Sequence, residues 1–343
     1  MICEDLHNVL AKLLASYAPD QVCFVVDEKV RGISDLSKTQ ISPKCCTLLV
    51  TESQKTLETI QQIWDFFFAQ GLTRRGVVVA VGGGVLTDLV GFAAATYKRG
   101  VDCICVPTTL LAMVDASTGG KTGINYHGLK NSIGLFAPPV ETLIWPGWLQ
   151  TLPAKEMLNG FAEMLKTGLI AASDPALWHD LLQYDLEAMP LDTLTPLIRR
   201  CVEVKEAIVA ADPKEEGLRK VLNFGHTFGH ALEELSLSAG KGLDHGYAVL
   251  YGMIAEVYLS VTKLGCARES LQQLSQIMLH YYGKPACKCS DRERLIALMK
   301  QDKKNERAAE INCTLLRSVG SPEVNQTISA DEAAEAWEYL FSL

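Results

Sequence analysis

The 343-residue chain has no apolar run approaching the ~20 residues that a bilayer-crossing helix needs, and stretches such as Val77 to Val81 stop far short of it. That excludes a helical membrane protein and predicts no membrane partner. The chain also lacks a basic excess. Its 40 Asp and Glu outnumber its 32 Lys and Arg, for a net charge of −8, which argues against a protein that grips a phosphate backbone and predicts no nucleic-acid partner. Eleven cysteines are present, but the number is odd, and no two are spaced Cys-x-x-Cys as in zinc or redox sites. They are expected to be reduced, buried thiols. The N-terminal Met1-Ile-Cys-Glu-Asp-Leu-His carries no basic patch ahead of an apolar stretch, so export is not expected and the predicted location is cytoplasmic. Repeats and low-complexity segments are missing too.

What is present is a chain of two characters. Over residues 1–150, short β-branched runs such as Val22-Cys-Phe-Val-Val and Thr47-Leu-Leu-Val alternate with amphipathic stretches, which predicts an α/β domain with a largely parallel sheet. Apolar residues at 57, 60, 63, 64, 67 and 68 predict a crossover helix that ends at Gly71. Beyond the Trp145-Pro146-Gly147 stretch, Ala, Leu and Glu-rich segments dominate, and residues 151–343 are expected to form an α-helical domain with Pro153, Pro175, Pro196 and Pro213 near helix starts and breaks.

Three groups of residues carry chemistry. Gly76 to Gly91 reads as a buried strand, then Gly82, Gly83 and Gly84, then a helix carrying Asp88. Glycines let a phosphate approach the backbone, and the helix start offers unpaired N–H groups, as at a dinucleotide site. Thr87 stands where G-x-G-x-x-G has its third glycine, so a ligand-free strand-to-helix turn is the competing reading. The second group runs from Val106 to Gly123 and on to Lys130 and Asn131, with Asp115 and Lys121 flanking small residues. A lysine there suits a phosphate or carboxylate, and Asp115 suits a hydroxyl or amine; a solvated loop is the alternative. In the helical half, Glu163 and Lys166 lie at i and i+3, and His226 and His230 at i and i+4, with Asn223 expected one turn earlier on the same face. His245 follows at the expected start of another helix. Two imidazoles and a carboxylate form a common catalytic zinc set, although histidines at i and i+4 also occur in purely structural settings.

Together the segments Gly82-Gly-Gly-Val-Leu-Thr-Asp-Leu-Val-Gly-Phe, Tyr97-Lys-Arg-Gly, Pro107-Thr-Thr-Leu-Leu-Ala-Met-Val-Asp, Gly119-Gly-Lys-Thr, Lys130-Asn, Asn159-Gly-Phe-Ala-Glu, Asn223-Phe-Gly-His-Thr-Phe-Gly-His and His245-Gly resemble the dehydroquinate synthase family in order and spacing, from about residue 20 to residue 320. The resemblance implies an enzyme, usually a homodimer, with an NAD-binding α/β domain and a helical domain for one Zn²⁺ or Co²⁺ ion and the substrate. It implies metal ligands Glu163, His226 and His245. Catalytic roles fall to His230 in proton transfer, to Glu215 as a further acid or base, and to Lys121 and Arg219.

By the same resemblance the sugar phosphate 3-deoxy-D-arabino-heptulosonate 7-phosphate meets Arg99, Asp115, Lys121, Asn131, Lys166, Lys205, Arg219, Asn223 and Lys304. NAD meets Asp27, Glu52, Lys55, Gly83, Gly84, Val85, Asp88, Thr108, Thr109, Lys130 and Asn159. The implied reaction is oxidation of the C5 alcohol by NAD, β-elimination of phosphate, return of the hydride, ring opening and an intramolecular aldol closure. Tyr247 and Lys29 depart from the family pattern, the first where many relatives carry Glu. The competing functions are another sugar phosphate cyclase, acting on sedoheptulose 7-phosphate or glucose 6-phosphate, a metal-dependent polyol dehydrogenase, and an inactive NAD-binding homologue.

Overall fold

A computed structural model describes residues 1–32, 44–127, 129–301 and 310–343. The chain forms two compact units, Met1–Pro153 and Ala154–Leu343. Within the described residues all eleven cysteines are unbridged thiols, and no helix is long and apolar enough to cross a membrane.

The first unit contains α1 (Leu6–Leu14), β1 (Val22–Asp27), α2 (Glu28–Arg31), β2 (Lys44–Leu48), α3 (Leu57–Ala69), β3 (Val77–Gly82), α4 (Gly84–Thr96), β4 (Asp102–Pro107), β5 (Lys121–Tyr126), β6 (Leu129–Phe136) and β7 (Glu141–Thr142). Among the described residues five strands form one sheet in the order β2-β1-β3-β4-β7, every pairing parallel. The Val-rich runs of β1 and β3 are buried along their whole length, as strands covered on both faces must be. Helix α3 turns Ile60, Ile63 and Phe67 inward and is followed by Gly71 at φ +66, the stop that its sequence predicts. Each such fully buried side chain contributes about 1.5–3 kcal/mol. Helix α4 is apolar on nearly every side and sits in the core beside Ile60, Ile63 and Phe67. Strands β5 and β6 form a separate antiparallel pair.

The chain runs from β1 to β2 on one side and then crosses to β3 on the other. The strand order therefore reverses between β1 and β3. A crevice opens beyond the carboxyl ends of parallel strands at such a point, and here Asp27 ends β1 while Gly82 ends β3 and Gly83 and Gly84 lead into α4.

The second unit comprises α5 (Ala154–Ile170), α6 (Leu177–Leu182), α7 (Leu191–Ala211), α8 (His226–Ser238), α9 (His245–Leu264), α10 (Arg268–Ile277), α11 (Arg292–Lys300), β8 (Ile311–Ser318), β9 (Ser321–Ile328) and α12 (Ala330–Ser342). It is mostly helical, with one antiparallel pair, β8 and β9, that the composition of this half does not announce. Pro196 lies inside α7 rather than at its start. At this sixth position the ring forgoes the helical bond to the Asp192 carbonyl, which is a local cost to the helix. Helices α5 and α8 approach α9 closely at glycine. A Cβ on Gly246 would fall 1.9 Å from the Asn159 carbonyl oxygen, and one on Gly252 would fall 1.9 Å from that of Gly225. Helix α11 packs on α8, and Phe228 of α8 also meets Trp337 of α12 with ring centroids 4.9 Å apart.

Candidate active site

In the helical unit, close helix packing brings three side chains from three helices together: Glu163 from α5, His226 from the first residue of α8 and His245 from the first residue of α9. One potential ligand atom from each lies within 4.8 Å of the others. Glu163 is 1% exposed, and its Oε1 stands 3.8 Å from Nε2 of His226 and 3.4 Å from Nε2 of His245. Both rings are turned by their other nitrogen. Nδ1 of His226 lies 3.0 Å from the Phe224 carbonyl oxygen, and because a carbonyl only accepts, the proton sits on Nδ1 and the Nε2 lone pair faces Glu163. Nδ1 of His245 lies 3.4 Å from Oε2 of Glu233, a carboxylate that orients this ring in the same sense.

The donor set fits a divalent cation. Oε1 of Glu163 is buried and, among the described residues, receives no hydrogen bond of ordinary geometry, a costly state for an ionised carboxylate unless positive charge is near. Lys166 supplies some of that charge, with Nζ 2.5 Å from Oε2. Burial alone would hold the His245 imidazolium down, yet the Glu233 and Glu163 carboxylates outweigh it and push its pKa up to about 10. The pocket attracts cations, and one carboxylate with two Nε2 atoms leaves coordination positions open.

His230 lies one turn along α8, its ring centroid 5.3 Å from that of His226 and 6.3 Å from that of His245. Glu215, Arg219 and Asn223 are gathered by the loop before α8. Asp212 accepts backbone N–H bonds from Glu216, Gly217 and Arg219 at 3.0, 2.8 and 2.9 Å. Asn223 donates to Oε1 of Glu215 at 2.7 Å, and the buried Arg219 donates through Nη1 to the Pro213 carbonyl at 2.7 Å. Asn223 is not on the α8 face with the histidines. It ends a 3-10 turn, and Gly225, at φ +80, breaks the backbone before the helix begins. Lys205 is buried on α7. The amide of Asn159 is engaged within the same unit, accepting from the Gly246 N–H at 2.7 Å beside His245 and donating to Glu156 at 3.3 Å.

In the α/β unit the residues expected at a nucleotide gather at the carboxyl ends of the strands. Asp27 is 7% exposed, and burial raises its pKa against the opposing Lys29 N–H bond. Thr108 donates its N–H to the Gly82 carbonyl at 3.0 Å. A Cβ on Gly83 would meet Thr109 at 3.3 Å, so the turn and the end of β4 lie against each other. Gly84 and Val85 open α4, whose first N–H groups have no helical partner. The buried Lys55 forms an ion pair with Asp88 and donates to Oδ1 of Asn131 at 2.6 Å. Burial raises the Asp88 pKa, with Lys55 opposing it.

Asn125 ties this cluster together. Its N–H donates to the Lys55 carbonyl at 2.8 Å, its side-chain amide donates to the Glu52 carboxylate at 2.9 Å, and its side-chain oxygen accepts from Asn131 N–H at 2.8 Å. Asp115 lies in a π-helical turn, Lys121 begins β5, Lys130 is the second residue of β6, and Arg99 is exposed at φ +66. Lys304 lies outside the described residues. Sequence reasoning missed Glu233 and Asn125. For Glu233 a signal existed, since positions 226, 230 and 233 follow i, i+4, i+7 on one helix face.

A nucleotide-type turn on a parallel α/β sheet and a carboxylate–bis-imidazole cluster in a helical unit define a metalloenzyme class. The fold is that of 2-epi-5-epi-valiolone synthase from Streptomyces hygroscopicus subsp. jinggangensis 5008, solved with NAD⁺ and Zn²⁺ bound, at TM-score 0.85 and 29% identity over 100% of this chain and 96% of that one. Within that class, the 3-dehydroquinate synthase N-terminal and C-terminal family models match residues 45–159 and 160–305. The chain is 39% identical to the 3-dehydroquinate synthase of Parabacteroides distasonis, covering 99% of this chain and 96% of the relative. It is 37% identical to that of Thermosynechococcus vestitus, covering 99% and 95%. The chain belongs to the 3-dehydroquinate synthase family.

Proposed function

We propose that this enzyme converts 3-deoxy-D-arabino-heptulosonate 7-phosphate to 3-dehydroquinate and phosphate, with NAD and one Zn²⁺ or Co²⁺ ion. The observation that carries the reading is the convergence of Glu163, His226 and His245 in a chain whose two halves both match the family. Identity to the dehydroquinate synthases, 39%, exceeds the 29% to the valiolone synthase, which favours the carboxylate-bearing substrate.

Bound in this pocket, the metal would act as a Lewis acid on the substrate alcohol and NAD would accept and return the hydride. Glu163, His226 and His245 hold the ion, and Glu233 fixes the His245 ring. His230, half-buried one turn from His226, exchanges a proton with the substrate, and Glu215, held by Asn223, is the further acid or base. Arg99, Lys121, Lys166, Lys205, Arg219 and Lys304 supply cations for the phosphate and carboxylate, while Asp115, Asn131 and Asn223 meet hydroxyls. Asp27, Glu52, Lys55, Gly83, Gly84, Val85, Asp88, Thr108, Thr109 and Lys130, with Asn159 as a further contact, would hold NAD, and the N–H groups at the start of α4 would suit its pyrophosphate.

The enzyme is cytoplasmic and a homodimer; the apolar residues exposed on and beside β6, including Leu129, Ile133, Leu135 and Phe136, support self-association. The test is turnover with catalytic NAD and added Zn²⁺ or Co²⁺. Phosphate and dehydroquinate should form in equal amounts, and a chelator should stop both. Conversion of sedoheptulose 7-phosphate instead would overturn the substrate assignment.

A further inference from the structure

Glu256 lies in α9, eleven residues beyond His245, and is 0% exposed. Its Oε2 accepts the Gly225 backbone N–H at 2.7 Å. That N–H belongs to the same peptide unit as the Phe224 carbonyl, and it is this carbonyl that accepts from Nδ1 of His226 at 3.0 Å. A peptide unit is planar, so an anchor on its N–H also aims its C=O. The accepted N–H bond fixes the peptide and polarises the carbonyl on the opposite edge, most strongly if the carboxyl is ionised, so that it becomes a better acceptor for the imidazole proton. The peptide needs such an anchor. Gly225 stands at φ +80 at the break before α8, and no helical hydrogen bond fixes its N–H.

We infer that Glu256 is a positioning residue for His226, acting through the Phe224–Gly225 peptide to hold the ring with its proton on Nδ1 and its Nε2 lone pair toward Glu163. The arrangement is a carboxylate–histidine pair with one peptide unit inserted, the counterpart of the direct Glu233–His245 contact on the other ligand. The two imidazoles of the cluster are thus each backed by a buried carboxylate, one directly and one through the backbone. The inference rests on the proposed metal site for its consequence, although the ring orientation itself exists without metal.

The experiment uses the full-length protein and the Glu256→Gln and Glu256→Ala variants. Nitrogen chemical shifts of ¹⁵N-histidine report the His226 tautomer in metal-free protein, and competition with a chromophoric chelator reports zinc affinity. In the wild type, His226 should be held as the Nδ1–H tautomer. Glu256→Gln, which keeps an acceptor but not the charge, should lose part of that preference and bind zinc on the order of 10-fold more weakly. Glu256→Ala should lose more of both.

Metal-free melting of Glu256→Gln should stay near that of the wild type. If Glu256→Gln leaves the tautomer and zinc affinity as in the wild type, the inference is overturned, and it is overturned equally if only the melting temperature falls. Failure of the wild type to bind zinc, with Glu163→Ala no different, would refute the metal site instead. The tautomer measurement would still decide the role of Glu256.

Discussion

At the scale of single residues, the candidate site depends on where imidazole protons are held. Nε2 of His226 and of His245 can both face Glu163 because the Phe224 carbonyl and the Glu233 carboxylate occupy the Nδ1 positions. Glu233→Gln should therefore weaken zinc binding by about 10-fold while the fold persists, as outer-shell changes do. Equilibrium competition with a chelator checks this, and unchanged affinity would show that the 3.4 Å contact does not orient the ring. Asn125 works in the α/β unit by the same logic. Its bonds fix Asn131, Glu52 and the Lys55 backbone, although it is not itself an expected ligand. In the sequence only its spacing from His226 and His230 marks Glu233, and nothing marks Asn125. A carboxylate on a helix is most often solvated, and an asparagine in a hairpin most often serves the turn. Only the fold shows that Glu233 is buried and what Asn125 bridges.

At the scale of elements, local patterns read well where one face or both faces of an element are buried. The Val-rich β1 and β3, the α3 stripe with its Gly71 stop, and the strand–glycine–helix sequence at Gly82 to Gly84 are all legible because burial imposes a period on the residues. Two features were not. The β8–β9 pair hides between helices of Leu and Glu-rich composition, and the single glycine at 225 moves Asn223 off the histidine face by a backbone reversal that helical spacing cannot reveal. That glycine is strictly required by geometry. A Cβ there would lie 2.6 Å from Met253 and 2.8 Å from the Val249 carbonyl oxygen, at a φ that side chains resist. Gly225→Ala should cost more than about 1 kcal/mol and displace His226, measured as a lower melting temperature together with weaker zinc binding.

The loop before α8 carries a pH signature. Asp212 has its pKa lowered by backbone N–H bonds, chiefly from Gly217 and then Arg219. A depressed carboxylate contributes stability that is fully present above the unfolded-state pKa of roughly 4 and disappears as pH falls through the folded-state value. The difference in melting temperature between wild type and Asp212→Asn should thus be constant from neutral pH down to about 5 and shrink below it. A difference that grows on acidification would contradict the assignment of the loop to this carboxylate.

At the scale of the whole molecule, family membership over both halves of the chain and the cluster of Glu163, His226 and His245 point to one chemistry. The resemblance in the sequence reached this far because glycines and charged residues at fixed spacings are demanded by the turn and the ligand set. The most direct test is phosphate release from 3-deoxy-D-arabino-heptulosonate 7-phosphate by chelator-treated wild type and Glu163→Gln, each with NAD and stepwise zinc. The wild type should recover at one zinc per chain, and Glu163→Gln should not recover at that ratio. Phosphate release that ignores the chelator, or a Glu163→Gln protein as active as the wild type, would contradict the assigned metal chemistry.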